Sequence, residues 1–429
     1  MMSPAGAVSL WNRGMVKVIK LACPKCGDES ASKTIFYCPS CRCVLEVNVS
    51  LGHLTGGDFD RMRQSRDRSI WRWFDFFPVN QRAAIVSLGE GGTPLLDAKR
   101  LGERLGIANL YLKNDTVLPT GSLKDRSNSV GISVGKELGF ETASVISTGN
   151  AAASVAAYAA AAGMRSIVMV PKGTALSKII QARAYGAAVI VVDGRFDYEV
   201  AELYKKAVAE FGWYDCLSSN PYRVGKKSYA YELVDQLDGH VPDWLIHPTA
   251  GGTGIFCMWQ GFKEFRSLGW IDRAPKLVAA QSEAAAPFVA AIEMDLENVE
   301  PVIARETVAE SIQVGNPLAL GWRALTALRE SNGTAVAVSD GEILEAQALT
   351  ARLSGIFAEP AAATSVAAAK KLRAAGTIKA DDVVVCNLTG HGLKQPEAIQ
   401  VSKEELVPIA PTLAALREQI RKSADAIPP

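Results

Sequence analysis

The sequence predicts an α/β protein built on parallel sheets. After residue 85, short β-branched runs alternate with stretches of helical character. Gly and Pro residues mark the joins, at Gly163, Pro171, Gly186, Gly212, Gly355 and Gly376. The runs repeat in the same order along most of the chain, with no internal repeat and no low-complexity segment.

In order, the expected strands cover 110–113, 143–147, 166–170, 188–192, 244–248, 277–281, 334–338 and 383–388. Helical character fills 150–163, 175–186, 197–211, 254–268, 341–354 and 361–375, and a further helix starts at Lys124. The aromatic segment 70–78 (I-W-R-W-F-D-F-F-P) reads as a buried entry segment or a subunit contact. From Glu404 the chain reads as a helix that frays. In parallel sheets, ligands bind at the carboxyl ends of strands, so the strand-to-helix loops are where chemistry is expected.

Composition excludes several classes of protein. Of 429 residues, 48% are hydrophobic, enough for a large core in two or three domains. Lys+Arg 46 against Asp+Glu 45 gives a net charge of +1, without the basic footprint of a nucleic-acid binder. No apolar run reaches the roughly 18 residues that a membrane span requires. Arg13, Lys17 and Lys20 precede the first acid, Asp28, but there is no secretory apolar core, so the start reads as that of a cytoplasmic protein.

Five of the eight cysteines crowd one stretch, as C-x2-C, eleven residues, C-x2-C, with Cys43 just beyond. Two such pairs can present four thiolates in a tetrahedron, so Cys23, Cys26, Cys38 and Cys41 are expected to hold a structural zinc. The competing reading is a run of reduced thiols with no metal. Residues 33–37 would form a ribbon strand between the pairs. Cys43 is either spare or a competitor for a ligand position. Cys216, Cys257 and Cys386 read as buried small hydrophobes.

Four strand-end loops carry the remaining chemistry. Residues 249–255 (T-A-G-G-T-G-I) open a helix with three glycines, whose backbone N–H groups can crowd an anion. The loop fits neither G-x-x-x-x-G-K-[ST] nor G-x-G-x-x-G. Ser147-Thr148-Gly149-Asn150 opens a second helix, where Asn150 either caps it or bonds a ligand. Thr389-Gly390-His391-Gly392 follows the last strand; His391 is either an acid/base group or a loop histidine. Lys124, in P-T-G-S-L-K-D-R-S (119–127), begins a helix. There the dipole and desolvation both favour the neutral amine that Schiff-base chemistry needs. A Schiff-base lysine, a phosphate cradle without a nucleoside fingerprint, and an amide and a hydroxyl at strand ends point to pyridoxal phosphate. The alternative is four unrelated loops in a generic α/β protein.

These segments resemble those of the threonine synthase family, of the pyridoxal-phosphate fold shared with the tryptophan synthase β subunit. The resemblance runs from about Ser69 to Pro396. It is carried by S-L-G-E-G-G-T-P-L (87–95), P-T-G-S-L-K-D-R (119–126), S-T-G-N-A-A-A-S (147–154), the glycine loop 250–254, F-A-E-P-A-A-A-T (357–364) and T-G-H-G-L-K (389–394). It implies two parallel-sheet domains of the tryptophan synthase β-like, fold type II class. Residues 51–118 and 217–429 would form a large cofactor-binding domain and 119–216 a smaller one, after a zinc-ribbon-like segment at 1–50.

By the same resemblance, Lys124 would carry pyridoxal 5'-phosphate as a Schiff base. Asn150 would bond its 3-hydroxyl, Gly251, Gly252, Thr253 and Gly254 its phosphate, and Thr389 its pyridine nitrogen. Ser147, Thr148, Ser218, Asn220 and Arg223 would contact an amino-acid substrate, with Lys226 and Lys227 as further candidates or a solvated pair. The implied reaction converts O-phospho-L-homoserine and water to L-threonine and phosphate by γ-elimination and β-addition. The alternatives are a β-replacement or β-elimination enzyme of the same fold, such as a cysteate synthase using phosphoserine, or an amino-acid dehydratase. A cytoplasmic homodimer is expected. The chain departs from the family at Leu123, Ser127, Ala151 and Leu217, where Phe, Gly, Thr and Asn are usual.

Overall fold

The computed structural model describes residues 17–195, 199–217, 219–317, 320–399 and 408–426. A three-stranded antiparallel ribbon comes first: β1 (Ile19–Ala22), β2 (Glu29–Ser30) and β3 (Glu46–Val49), in the order β2-β1-β3. Residues 33–37 do not form the expected ribbon strand. Only Tyr37 pairs, through a single bridge to Val44, because a turn at residues 33–34 interrupts the segment. The ribbon is tied to the body by Tyr222, whose hydroxyl donates to the Lys33 carbonyl at 2.9 Å, and by an Arg323–Glu46 ion pair at 3.4 Å.

A six-stranded sheet holds β4 (Leu95–Asp97), β5 (Asn109–Asn114), β10 (Trp244–Pro248), β11 (Lys276–Ser282), β12 (Thr334–Val338) and β13 (Val383–Leu388), in the order β12-β11-β10-β13-β5-β4. A four-stranded sheet holds β6 (Thr142–Ile146), β7 (Arg165–Pro171), β8 (Ala188–Val192) and β9 (Tyr214–Asp215), in the order β8-β7-β6-β9. All pairings in both sheets are parallel except β4 with β5. Each of the eight expected strands is present. The sequence does not announce β4 or β9, which are too short to show a period of two.

Helix α1 (Gly56–Arg63) follows the ribbon, and α2 (Lys99–Leu105), α3 (Lys124–Glu137), α4 (Asn150–Ala162), α5 (Leu176–Ala184), α6 (Ala201–Phe211) and α7 (Ser228–Gln236) alternate with strands β4 to β10. They are followed by α8 (Thr253–Ser267), α9 (Pro287–Glu293), α10 (Gly321–Glu330), α11 (Asp340–Ser354) and α12 (Pro360–Ala374). Helix α4 is mostly alanine and buried along most of its length, so it packs closely without bulky side chains. The aromatic stretch forms a 3-10 helix, Ile70–Phe76. Trp73 and Phe76 pack against Tyr231 and Phe265 with ring centroids 4.7–5.7 Å apart, so the segment is buried within this chain. Residues 395–429 form a separate unit, whose described part includes α13 (Leu413–Ala426).

Candidate active site

One cavity gathers loops from both sheets. It is lined by Leu123, Lys124, Asn150, Lys226, residues 247–254, Ser311, Ile312, Glu359 and Thr389. Four helices begin here: Lys124 opens α3, Asn150 opens α4, Thr253 opens α8 and Glu359 immediately precedes α12. The first N–H groups of a helix have no intrahelical acceptor and carry partial positive charge, so convergent N-termini make a site for anionic groups.

The strand-end loops are stitched together by backbone. Leu123 N–H donates to the Thr389 carbonyl at 2.8 Å, and His391 N–H to that of Gly121 at 2.9 Å. Glu359 N–H donates to the Gly390 carbonyl and Gly392 N–H to that of Phe357, both at 2.9 Å. The 389–392 segment is therefore fixed between the lysine turn and the 357–359 segment. His391 does not line the cavity; its Nδ1 accepts from the Leu393 N–H at 3.1 Å, which is the role of a loop histidine.

Beneath Lys124 the helix is anchored by buried charge. Asp125 accepts from the Thr120 N–H at 2.7 Å, from the Thr120 hydroxyl at 2.6 Å and from the Ser154 hydroxyl at 2.7 Å, closing the turn before the lysine. Arg126, fully buried, pairs with Asp115 at 2.7 Å and Glu232 at 2.6 Å, and Lys113 also pairs with Glu232 at 2.6 Å. Burial alone would raise the Glu232 pKa, but Arg126 and Lys113 hold it far below the usual carboxylate range. Lys124 itself lines the cavity, and its amine makes no hydrogen bond or ion pair among the described residues. Burial first, then the Arg223 charge, lowers its pKa to about 8, against the opposing pull of Glu359.

The phosphate-cradle reading of residues 251–254 can be tested by space. A Cβ on Gly254 would lie 2.0 Å from His247 Nε2. Gly252 has φ +87°, and a Cβ there would lie 2.4 Å from the Ala324 Cβ. Neither position admits a side chain, so packing requires glycine at both, and their backbone lines the cavity at the α8 N-terminus. A solvent-poor lysine without a partner, this cradle, an amide at Asn150 and a hydroxyl at Thr389 together fit pyridoxal phosphate.

The model of the pyridoxal-phosphate-dependent enzyme family matches residues 86–390. The threonine synthase of Methanocaldococcus jannaschii is 41% identical over 402 residues, 93% of this chain and 99% of that protein. The chain belongs to the threonine synthase family of pyridoxal-phosphate-dependent enzymes. The threonine synthase of Methanosarcina acetivorans is 40% identical, covering 93% of this chain and 98% of that protein. Among solved structures, maize serine racemase shares the fold with a TM-score of 0.61 at 19% identity, over 78% of this chain and 93% of that one.

Other residues expected at the site are placed less centrally. Ser147 and Thr148 are half-buried beside the cavity and outside its lining. Ser218 lies outside the described residues. The Asn220 amide is engaged in its own turn, donating to the Asp215 carbonyl at 2.8 Å and accepting from the Tyr222 N–H at 2.9 Å. Arg223 is buried behind Lys124, its stem near Gly131 and its Nε without a hydrogen-bond partner. Ser127 and Asn128, one turn below the lysine, are also buried with side-chain polar atoms unsatisfied.

One cavity residue, Glu359, carries chemistry that the sequence did not single out, and Lys226 is one of the two further candidates it named. Glu359 is 2% exposed and accepts from Asn150 Nδ2 at 3.0 Å; burial raises its pKa. It sits inside the F-A-E-P motif, but a glutamate before a helix reads by itself as a surface residue. Lys226 lines the cavity, whereas Lys227 donates to the Phe76 carbonyl at 2.9 Å and pairs with Glu264 at 2.7 Å. The expected basic pair is thus buried and divided between two environments.

In the ribbon, the sulfurs of Cys23, Cys26, Cys38 and Cys41 lie within 4.8 Å of one another. Neighbouring sulfurs are separated by 3.3, 3.5 and 3.8 Å. Four thiolates about 2.3 Å from one zinc would stand about 3.8 Å apart, so the cluster fits a structural zinc. The two knuckles are alike: Gly27 N–H donates to the Cys23 carbonyl and Arg42 N–H to that of Cys38, each at 2.9 Å. Both donors have positive φ, 82° and 60°. Cys43 stands outside the cluster, with its side chain buried in the core.

Proposed function

We propose that the chain converts O-phospho-L-homoserine and water to L-threonine and phosphate, as the name of its relatives implies. The observation that carries this reading is the meeting of Lys124, Asn150, residues 251–254 and Thr389 in one cavity. Pyridoxal phosphate, when bound, supplies an electron sink that stabilises carbanions at the substrate's Cα and Cβ. The protein's own groups do the rest. The N-terminus of α8 and its bare glycines hold a phosphate. Asn150, steadied by Glu359, orients the ring through its amide. The Thr389 hydroxyl meets the pyridine nitrogen. The Lys124 amine, with its lowered pKa, takes a proton from Cα and delivers and removes protons at Cβ. Arg223, buried behind Lys124, adds positive charge that favours a substrate phosphate.

Phosphate release and threonine formation from phosphohomoserine, lost in Lys124→Ala together with the visible cofactor absorbance, is the expected result. Turnover of phosphoserine alone would replace this reading with β-replacement chemistry. Leu217 and the engaged Asn220 amide are the features that favour that second reading, because they remove polar contacts from the substrate-phosphate segment.

The four-stranded sheet falls within 119–216 and the six-stranded sheet outside it, which supports the two domains expected from the resemblance. No described helix is long and apolar enough to cross a membrane. A cytoplasmic setting is supported by eight cysteines without a disulfide and a thiolate cluster suited to metal. The homodimer rests on the family resemblance, and light scattering on the purified protein tests it.

A further inference from the structure

We propose that Lys226 is a direct ligand of the cofactor's phosphate, completing the cradle at the glycine-loop end of the cavity. The inference rests on the pyridoxal-phosphate reading above and adds a residue to it. Lys226 is 6% exposed, lines the cavity, and its amine makes no hydrogen bond or ion pair among the described residues. A buried ammonium without a partner is costly, and proteins retain one where a counterion is to come.

The surroundings say which counterion. Among the described residues lining the cavity, the one carboxylate is Glu359. It is engaged by Asn150, and the cations acting on it are Lys124 and Lys394 rather than Lys226. The groups near enough to act on Lys226 are Lys124, the Cys257 thiol and Arg223, none of them a carboxylate. Cys257 lies in the first turns of α8, and His247, which also feels Lys226, stands behind Gly254. Lys226 is therefore at the glycine-loop end of the cavity. His247 cannot serve as the counterion's partner: burial and the two lysines keep it neutral, and its Nδ1 is paired with Asn387 at 3.1 Å. Two cationic side chains of the cavity lining, Lys124 and Lys226, thus face one carboxylate, while Arg223 behind them already has Asp215 acting on it. A phosphate monoester dianion at the α8 N-terminus balances that excess and supplies the acceptors Lys226 lacks. Burial and the neighbouring cations drive Lys226 towards its neutral form, and a bound dianion restores the charge.

The substrate also carries a phosphate, so the test must separate the two. Apoprotein is titrated with pyridoxal phosphate, with pyridoxal, and with inorganic phosphate, following absorbance and thermal unfolding. Lys226→Met and Lys226→Gln should weaken pyridoxal phosphate by about tenfold to a hundredfold, the range of a charged hydrogen bond. Both should leave pyridoxal binding unchanged and reduce the stabilisation by inorganic phosphate, and Lys226→Arg should recover most of the loss. The neutral variants should unfold, as apoproteins, at the same temperature as the parent or higher, because a buried cation has been removed. A purely structural lysine would instead lower the unfolding temperature and weaken both cofactor forms alike, which would overturn the proposal. Unchanged pyridoxal phosphate affinity would overturn it too. If the KM for phosphohomoserine then rose, Lys226 would belong to the substrate's phosphate. If the parent protein bound no pyridoxal phosphate, the cofactor reading itself would fall.

Discussion

Replacing Arg126 with methionine removes the charge that holds the lysine helix in place while keeping most of the side-chain volume. The guanidinium is fully buried, and its five N–H groups have six acceptors within 2.6–3.0 Å, on Asp115, Glu232, Thr93 and Ser228, one N–H being shared. Among Lys113, Arg126, Asp115 and Glu232, two cations balance two carboxylates; the variant leaves one cation. At an effective dielectric of about 20, unit charges about 4 Å apart attract by about 4 kcal/mol, and Arg126 makes two such pairings. Desolvation of the guanidinium offsets part of this, so the net cost of truncating one partner of a buried cluster is ~3–5 kcal/mol. The expected loss in urea unfolding of the apoprotein, followed by tryptophan fluorescence, is of that size at neutral pH. The sign with pH follows from Glu232, whose pKa is depressed. A depressed carboxylate stabilises the fold above its unfolded pKa of about 4.3, and that stabilisation is lost as pH falls through the lower folded value. The difference between parent and variant should therefore shrink below about pH 4. Adding Glu232→Gln to Arg126→Met should recover part of the loss. A loss under about 1 kcal/mol, the range of an exposed ion pair, would refute the reasoning.

Three further outcomes follow from the same geometry. With its pKa lowered to about 8, Lys124 should capture pyridoxal phosphate at a rate that rises with pH up to about 8 and then levels, measured by stopped-flow absorbance; a rise continuing towards the ordinary lysine value of about 10.4 would contradict this. Gly254→Ala places a Cβ 2.0 Å from His247 Nε2; overpacking should cost about 1–3 kcal/mol and weaken cofactor binding, both read by unfolding with and without pyridoxal phosphate. Cys23→Ser and Cys38→Ser should each strip zinc from the purified protein, by metal analysis, whereas Cys43→Ser should not; unchanged zinc in the first two would refute the four-thiolate site.

The sequence by itself determined the alternation of strands and helices, because a parallel strand must be apolar and β-branched to be buried on both faces. It also determined the strand-end loops, since Gly, Thr and Asn beside a strand have few other uses. Lys124, Asn150, residues 251–254 and Thr389 were legible for that reason, and so were the paired cysteines, whose spacing is a local property. Only the tertiary structure decided what contacts between distant segments decide. It showed that Cys43 belongs to the core rather than the thiol cluster, and that the Asn220 amide serves its own turn. Glu359 acquired meaning when α12 began beside Asn150, 209 residues away in sequence. Lys226 and Lys227 are adjacent and identical as letters, and packing against α8 gave Lys227 a carboxylate while leaving Lys226 in the cavity. A side chain's charge is written in the sequence, but its partner and its solvent are set by which distant segments fold around it.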